Sequence, residues 1–368
     1  MPDVEALGRG VNMWRALTQW IGGLGIMLFA LTLVPMLNKA GGMRLMAAES
    51  SDFAFDKTSP RIMQTARTLG LVYLTLSLCC VILLWIGPMD LYDALVHSFC
   101  TLSTGGFSDY NNGIMRFSSV YVELVLTVFM FLGATNFTIL AFACKGNFRP
   151  LLQNSTFWIF GLIVFVCTGL FIGSMLLSDL PFTFHGMVVA PLFQVVSAIS
   201  STGYSSGNYE LWGAPVYALL LMLMYSGACM GSTSGGAKLD RIIVFFRSGR
   251  NEIYSSINRN TVYSVHNGTK DLAPAAVSRI VTFLGIYLLT LLAGSLLLMA
   301  FGVGADDSFF AVASCTSNIG LGYGVTGFGG GFGQLPVAAK WVLSFMMYVG
   351  RLELLTVFVL FLPSFWKR

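Results

Sequence analysis

Apolar residues run through this chain in blocks that are hydrophobic all round rather than along one stripe. The clearest are residues 71 to 87 (LVYLTLSLCCVILLWIG), 156 to 177 (TFWIFGLIVFVCTGLFIGSMLL) and 280 to 301 (IVTFLGIYLLTLLAGSLLLMAF). Their lengths fall in the range of about 17 to 25 residues that crosses about 30 Å of hydrocarbon, so they predict membrane-spanning helices. After each comes a semi-apolar segment too short to span: DLYDALVHSFCTL, GMVVAPLFQVVSAIS and DDSFFAVASCT. A segment of about ten to twelve apolar residues fits a re-entrant half-helix. A turn rich in Ser, Thr, Asn and Gly follows, and then another long apolar run.

This plan occurs three times. A helix at 68 to 88 leads to Ser103-Thr104-Gly105-Gly106-Phe107-Ser108 and a helix at 118 to 143. One at 155 to 178 leads to Ser201-Thr202-Gly203-Tyr204-Ser205 and a helix from 214. One at 278 to 302 leads to Ser317-Asn318-Ile319-Gly320-Leu321 and a helix at 337 to 362. One such turn is an ordinary external loop; three at matched places in matched units are not. Unsatisfied peptide groups in hydrocarbon cost several kcal/mol each, so non-helical backbone at membrane depth has to line an aqueous cavity. Glycine lets carbonyls turn inward, and the C-terminus of a half-helix carries negative partial charge, so the expected permeant species is a cation. A ring of carbonyls can replace the hydration shell of K⁺.

Upstream, MWRALTQWIGGLGIMLFALTLVPML at 13 to 37 has the place of a second helix in a unit whose first helix and loop are absent. A pore of four loops would take its fourth from upstream of Met1, and a truncated N-terminus is expected. The organisation is therefore read as residues 1–40 (second helix of an incomplete first unit), 66–150 (second unit, filter 103–108) and 151–250 (third unit, filter 200–205, broken helix 227–240). A cytoplasmic loop at 251–276 and a fourth unit at 277–368 with filter 317–321 complete it. The expected fold class is an all-α polytopic membrane protein, with helix-pore loop-helix units around a pseudo-fourfold ion pore.

Composition sharpens the picture: 55% of the 368 residues are hydrophobic and 10% charged, where soluble domains carry about a quarter charged residues. Most of the 21 basic residues fall in alternate loops: Lys39, Arg44, Lys57, Arg61 and Arg67, then Lys145 and Arg149, then Lys238, Arg241, Arg247, Arg250, Arg259, Lys270 and Arg279, then Lys367 and Arg368. The positive-inside rule places these in the cytoplasm. The opposite loops carry mainly acids: Asp90, Asp93, Asp109, Asp179, Glu210, Asp306 and Asp307. The net charge of +4 is topogenic and implies no nucleic acid. The seven cysteines lie in apolar stretches without metal-binding spacing, and the three histidines, His97, His185 and His266, are far apart and read as structural. No paired carboxylates or nucleophile-base set points to an enzyme.

Two further features bear on conduction. The run Gly231-Ser232-Thr233-Ser234-Gly235-Gly236 interrupts an apolar stretch and reads equally as a cytoplasmic helix end or as a break within the membrane. Arg351 sits in the last apolar stretch, MYVGRLELLTVFVLF, where a cation costs about 2.5 to 3.5 kcal/mol on insertion scales. It either serves the pathway or snorkels to an interface. Glu353, two residues on, faces elsewhere on a helix.

These residues resemble the Trk/Ktr/HKT superfamily of potassium transporters, in its bacterial Trk form, the membrane subunit for potassium uptake. The resemblance covers the chain and rests on WRALTQWIGGLGI (14 to 26), STGGFS (103 to 108), GATNF (133 to 137), STGYSS (201 to 206), GSTSGGAKLDRI (231 to 242), the turn 318 to 321 and GRLELLTVFVLF (350 to 361). It implies a multi-pass protein of the bacterial inner membrane, a homodimer with one pore per subunit, and a cytoplasmic ring of nucleotide-binding regulatory subunits of the TrkA (RCK) type. No bound cofactor is implied beyond K⁺ as the permeant ion, held by backbone carbonyls. Its filter glycines match Gly106, Gly203 and Gly320, with Ser103, Thr104, Gly105, Phe107, Ser201, Thr202, Tyr204, Asn318, Ile319 and Leu321 alongside. The first unit's filter position, glycine or serine in the superfamily and tied to K⁺ versus Na⁺ preference, has no counterpart here. The resemblance makes 231–236 an intramembrane gating loop and puts Arg351 in the pore as a positive barrier. Passive, gated K⁺ uptake is the expected function. K⁺ symport with H⁺ or Na⁺, for which Glu123 and Glu353 are the membrane acids at hand, and a Na⁺-permeable member of the superfamily are the alternatives.

Overall fold

A computed structural model describes residues 3–39, 62–178, 183–257, 265–267, 270–328, 330–352 and 354–366. Arg44, Lys57, Arg61, Asp179, Arg259, Glu353, Lys367 and Arg368 lie outside the described residues. The chain starts with one long helix, α1 (Arg9–Lys39). Three stretches then repeat an outer helix, a short helix and a turn: α2 (Ile62–Ile86) with α3 (Leu91–Leu102), α7 (Ser155–Leu177) with α8 (Ala190–Ile199), and α11 (Pro274–Ala300) with α12 (Ala305–Thr316). Three described helices are long and apolar enough to span: Thr65–Ile86, Ser155–Leu177 and Pro274–Ala300. A π-helical turn, His185–Val189, leads into α8.

The helices that follow the three turns are all interrupted. The continuous helix expected over 118 to 143 is instead α4 (Val120–Gly133) and α5 (Phe137–Cys144), bent by 107°. Its break has a local cause: the Asn136 side chain accepts from Thr138 N–H and starts a new helix, in the manner of an N-cap. A short helix, α6 (Arg149–Gln153), leads on to α7. After the second turn, α9 (Ala214–Ser226) and α10 (Leu239–Ile257) flank a non-helical stretch. After the third, the helix expected over 337 to 362 divides into α13 (Val337–Arg351) and α14 (Leu354–Val359), and α15 (Pro363–Trp366) follows. The stretch read as a plain loop at 251–276 holds the end of α10 and a small antiparallel hairpin, β1 (Val265–Asn267) with β2 (Lys270–Leu272), His266 opposite Asp271.

Each short helix is the hub of its surroundings. α3 packs on α1, α2 and α4; α8 on α4, α7 and α9; α12 on α9, α11 and α13. Beyond their first turns these helices are largely enclosed, including Ala94, Val96, Leu102, Phe193, Val195, Ile199, Phe310 and Ala311. The outer helices instead expose Leu78, Trp85, Phe165, Leu170, Leu289 and Leu296, the pattern expected where the surrounding solvent is lipid tail.

Candidate functional site

The three turns share one backbone geometry. The residue two before each glycine is left-handed, Thr104 at φ 51, Ser201 at 57 and Asn318 at 55. Gly106 at φ 62, Gly203 at 85 and Gly320 at 86 are left-handed as well. Alternating the hand of successive residues turns consecutive carbonyls to the same side, and the β-carbon makes that costly except at glycine or short polar residues. The N–H groups are occupied behind the turns: Gly105 N reaches Cys100 O at 2.8 Å, Thr202 N reaches Ser197 O at 3.0 Å, and Ile319 N reaches Ser314 O at 2.9 Å. Among the described residues no donor takes the carbonyls of Thr104, Gly105, Gly106, Ser201, Thr202, Gly203, Asn318, Ile319 or Gly320. These oxygens stay free for a cation.

The turns also interlock. A β-carbon on Gly106 would overlap the carbonyl oxygen of Thr202, and one on Gly203 would overlap that of Ile319. One on Gly320 would meet nothing within 4 Å. The structure thus brings Thr104 to Phe107, Ser201 to Tyr204 and Asn318 to Leu321 around one centre. Ser103 and Ser317 lie one step back, as the residues that end α3 and α12. Gln19 of α1 lies where a β-carbon on Gly105 would fall, a neighbour that no local motif announces.

The stretch from Gly227 to Lys238 runs directly behind the turns. Thr233 Oγ1 donates toward Leu102 O (3.0 Å) and Gly133 O (3.2 Å). Gly235 N–H donates to Ser201 Oγ at 2.6 Å, and a β-carbon on Gly235 would overlap the Ser317 carbonyl. Gly231 packs on the Asn136 amide, and its carbonyl accepts from Phe137 N at 3.1 Å, so the loop engages the α4–α5 break. Ser232 and Ser234 share a hydroxyl hydrogen bond of 2.7 Å. Gly236 packs against Gly227 across the loop's neck, and Lys238 Nζ donates to the Ser234 carbonyl. Arg351 sits at the end of α13, and its guanidinium donates to Thr233 O at 3.3 Å. The run 231–236 therefore lies inside the fold, touching residues at the C-terminal ends of all three short helices, and Arg351 reaches it. Asp240, at the start of α10, accepts from Met230 N (2.6 Å) and Thr156 Oγ1 (2.8 Å), tying the loop to α7.

Asn111, in the loop after the first turn, binds Asp3 and the Val4 N–H, and its own N–H donates to Glu5. Burial pushes the Asp109 carboxyl in that loop above the usual carboxylate range, against backbone hydrogen bonding and the nearby Arg9, which lower it. Glu123, one of two acids considered for proton coupling, is buried on α4 and paired with His185 at 2.9 Å. Glu353 lies outside the described residues. No group of three or more His, Cys, Asp or Glu among the described residues could hold a metal ion.

Free carbonyls from three re-entrant turns on helix C-termini, with a non-helical loop behind them, define a membrane protein of the pore-loop, cation-transporting class. The sequence pattern of the TrkH family, described as cation transport protein, matches residues 1–145 and 150–368. The "Trk system potassium uptake protein TrkH" of Escherichia coli K12 is 31% identical over 99% of this chain and 75% of its own length. The "Trk system potassium uptake protein TrkI" of Halomonas elongata is 33% identical over 99% of this chain and 74% of its own. The crystal structure of the potassium transporter TrkH from Vibrio parahaemolyticus superposes with a TM-score of 0.87 at 30% identity, covering 99% of this chain and 74% of that one. This chain belongs to the TrkH family, a family of membrane transporters and not of enzymes.

Proposed function

We propose that this chain takes up potassium across the bacterial inner membrane through a gated, channel-like pore. The observation that carries this reading is the set of free carbonyls on three interlocked, alternately handed turns. The K⁺ filter consists of Ser103, Thr104, Gly105, Gly106 and Phe107, of Ser201, Thr202, Gly203 and Tyr204, and of Asn318, Ile319, Gly320 and Leu321, arranged about a pseudo-fourfold axis. Backbone oxygens replace water around the ion. Potassium is favoured as cargo because it is named in the relatives' titles.

The loop 231–236 and Arg351 are the gate. The loop's contacts with Leu102, Ser201 and Ser317 support reading it as unwound backbone across the inner end of the filter, and the guanidinium on Thr233 O supports a positive charge that an entering cation meets. The subunit works as a homodimer with a cytoplasmic ring of nucleotide-binding subunits, partners consistent with the relatives' "Trk system" titles. Flux is passive, driven by voltage and the K⁺ gradient.

The test is ⁸⁶Rb⁺ and ²²Na⁺ uptake into liposomes holding the purified protein, with and without a pH gradient. K⁺-competed, pH-independent Rb⁺ uptake is the expected result. Uptake that needs a proton gradient overturns the passive reading, and equal Na⁺ and Rb⁺ uptake overturns the assignment of K⁺.

A further inference from the structure

Behind the first turn lies a histidine that the charge pattern and the repeat leave without a role. His97, on α3, is completely buried. Its Nδ1 is 2.8 Å from the Asp93 carbonyl oxygen, which can only accept, so Nδ1 carries the proton. In the neutral ring Nε2 is then a lone pair, and the Ser108 hydroxyl, 3.0 Å away, donates to it, with Asp109 Oδ1 3.8 Å from the same nitrogen. Ser108 Oγ in turn accepts from Tyr110 N–H at 3.1 Å. The ring is held edge-on by Phe117, with centroids 5.4 Å apart.

The second turn reaches into the same place. The Tyr204 hydroxyl lies 3.3 Å from both His97 O and Phe107 O. Its backbone carbonyl accepts from Ser197 Oγ at 2.6 Å. One buried hydroxyl thus joins α3, the last carbonyl of the first turn and the second turn. His97 stands to Gly106 in the first turn as Gln194 stands to Gly203 and Ala311 to Gly320. Only the first copy has a rigid ring here; the second has an amide, which also can both donate and accept.

We propose that His97 is a positioning residue that, through its ring's bond to Ser108, fixes the backbone leaving the first turn, which the Tyr204 hydroxyl on the main-chain carbonyls of His97 and Phe107 ties to the second turn, and so the preference for K⁺ over the smaller Na⁺. This rests on reading the turns as the filter. A cage of carbonyls tells two ions apart only if it resists closing on the smaller one. Hydrogen bonds from a packed ring supply that resistance, since buried polar groups with every partner in place rigidify their surroundings.

The full chain in liposomes gives the test, with the K⁺/Na⁺ permeability ratio read from bi-ionic potentials and flux normalised to protein. His97→Leu, Ser108→Ala and Tyr204→Phe each lower the ratio, by about fivefold for one net hydrogen bond. The double variant H97L/S108A is no worse than H97L, because both cut one link, and His97→Gln retains most of the ratio. The proposal is overturned if these variants leave the ratio unchanged or reduce K⁺ and Na⁺ flux alike. Should H97L fail to fold, Ser108→Ala, which removes the ring's one side-chain partner, decides by the same criterion. Gly203→Ser in the same assay separates the two readings. If it shifts the ratio while the three variants do not, His97 alone is misassigned; if it too has no effect, the filter reading falls and this proposal with it.

Discussion

At Gly203 two separate constraints meet: φ is 85°, and the space a β-carbon would fill is taken by the Ile319 carbonyl. Gly320 has the same dihedral, 86°, but open space around it. Left-handed backbone alone costs a non-glycine residue about 1 kcal/mol, whereas overlap with a carbonyl of the neighbouring turn has to displace that turn. Gly203→Ala is therefore expected to abolish K⁺-selective uptake, and Gly320→Ala to leave most of it, in Rb⁺ and Na⁺ uptake by liposomes. Equal loss in both would mean the interlock contributes nothing. Gln194 poses the opposite case. It is completely buried on α8, and among the described residues neither amide atom has a partner. Exchanging an unpartnered polar group for an apolar one of similar shape recovers a desolvation cost of about 1 to 3 kcal/mol, so Gln194→Met should raise the melting temperature in detergent.

At the scale of elements, the broken helices are what distinguish this fold from a plain bundle, and they were unequally legible. The gap between α9 and α10 shows in the sequence because Gly231 to Gly236 is a run of helix-disfavouring residues. The bend after Gly133 does not, because VFMFLGATNFTILAF stays apolar across it. Its causes are a side-chain cap from Asn136 and long-range bonds to the loop, Cys229 N to Ala134 O at 3.2 Å and Phe137 N to Gly231 O at 3.1 Å. The turns were legible for the same reason the first gap was: glycine and short polar residues recur where left-handed backbone is needed. Their mutual contacts, and the parts played by Gln19, His97 and Tyr204, join residues far apart in sequence and leave no local mark. Thr233 lies in the loop that touches residues at the C-terminal ends of all three short helices. Thr233→Val keeps the shape and removes the hydroxyl that holds Leu102 O and Gly133 O. Losing about 1 kcal/mol from the seated loop favours the open state about fivefold, so K⁺ flux per molecule should rise. A fall in flux at normal abundance would count against the loop as a barrier.

For the molecule as a whole, the free energy of insertion and the distribution of charge have to agree on one orientation. The alternation of basic and acidic loops predicts the ends of α5 and α10 in the cytoplasm and the loops that follow the three turns outside. A native reporter exists for the inner side. Cys144 is exposed at the end of α5, next to Lys145, whereas Cys80, Cys100, Cys229 and Cys315 are buried. Cys79 is exposed within α2, in the middle of a helix long and apolar enough to span, where a membrane-impermeant reagent does not reach. A membrane-impermeant maleimide should thus label Cys144 in inside-out vesicles and leave it untouched in right-side-out ones. Asn112→Cys in a Cys144→Ser background, on the exposed loop after the first turn, should give the reverse pattern. Labelling of both sites from one side would require the α4–α5 pair to return to its starting face, making it a re-entrant loop instead of a bent span, and would remove the alternation on which the orientation of the pore rests.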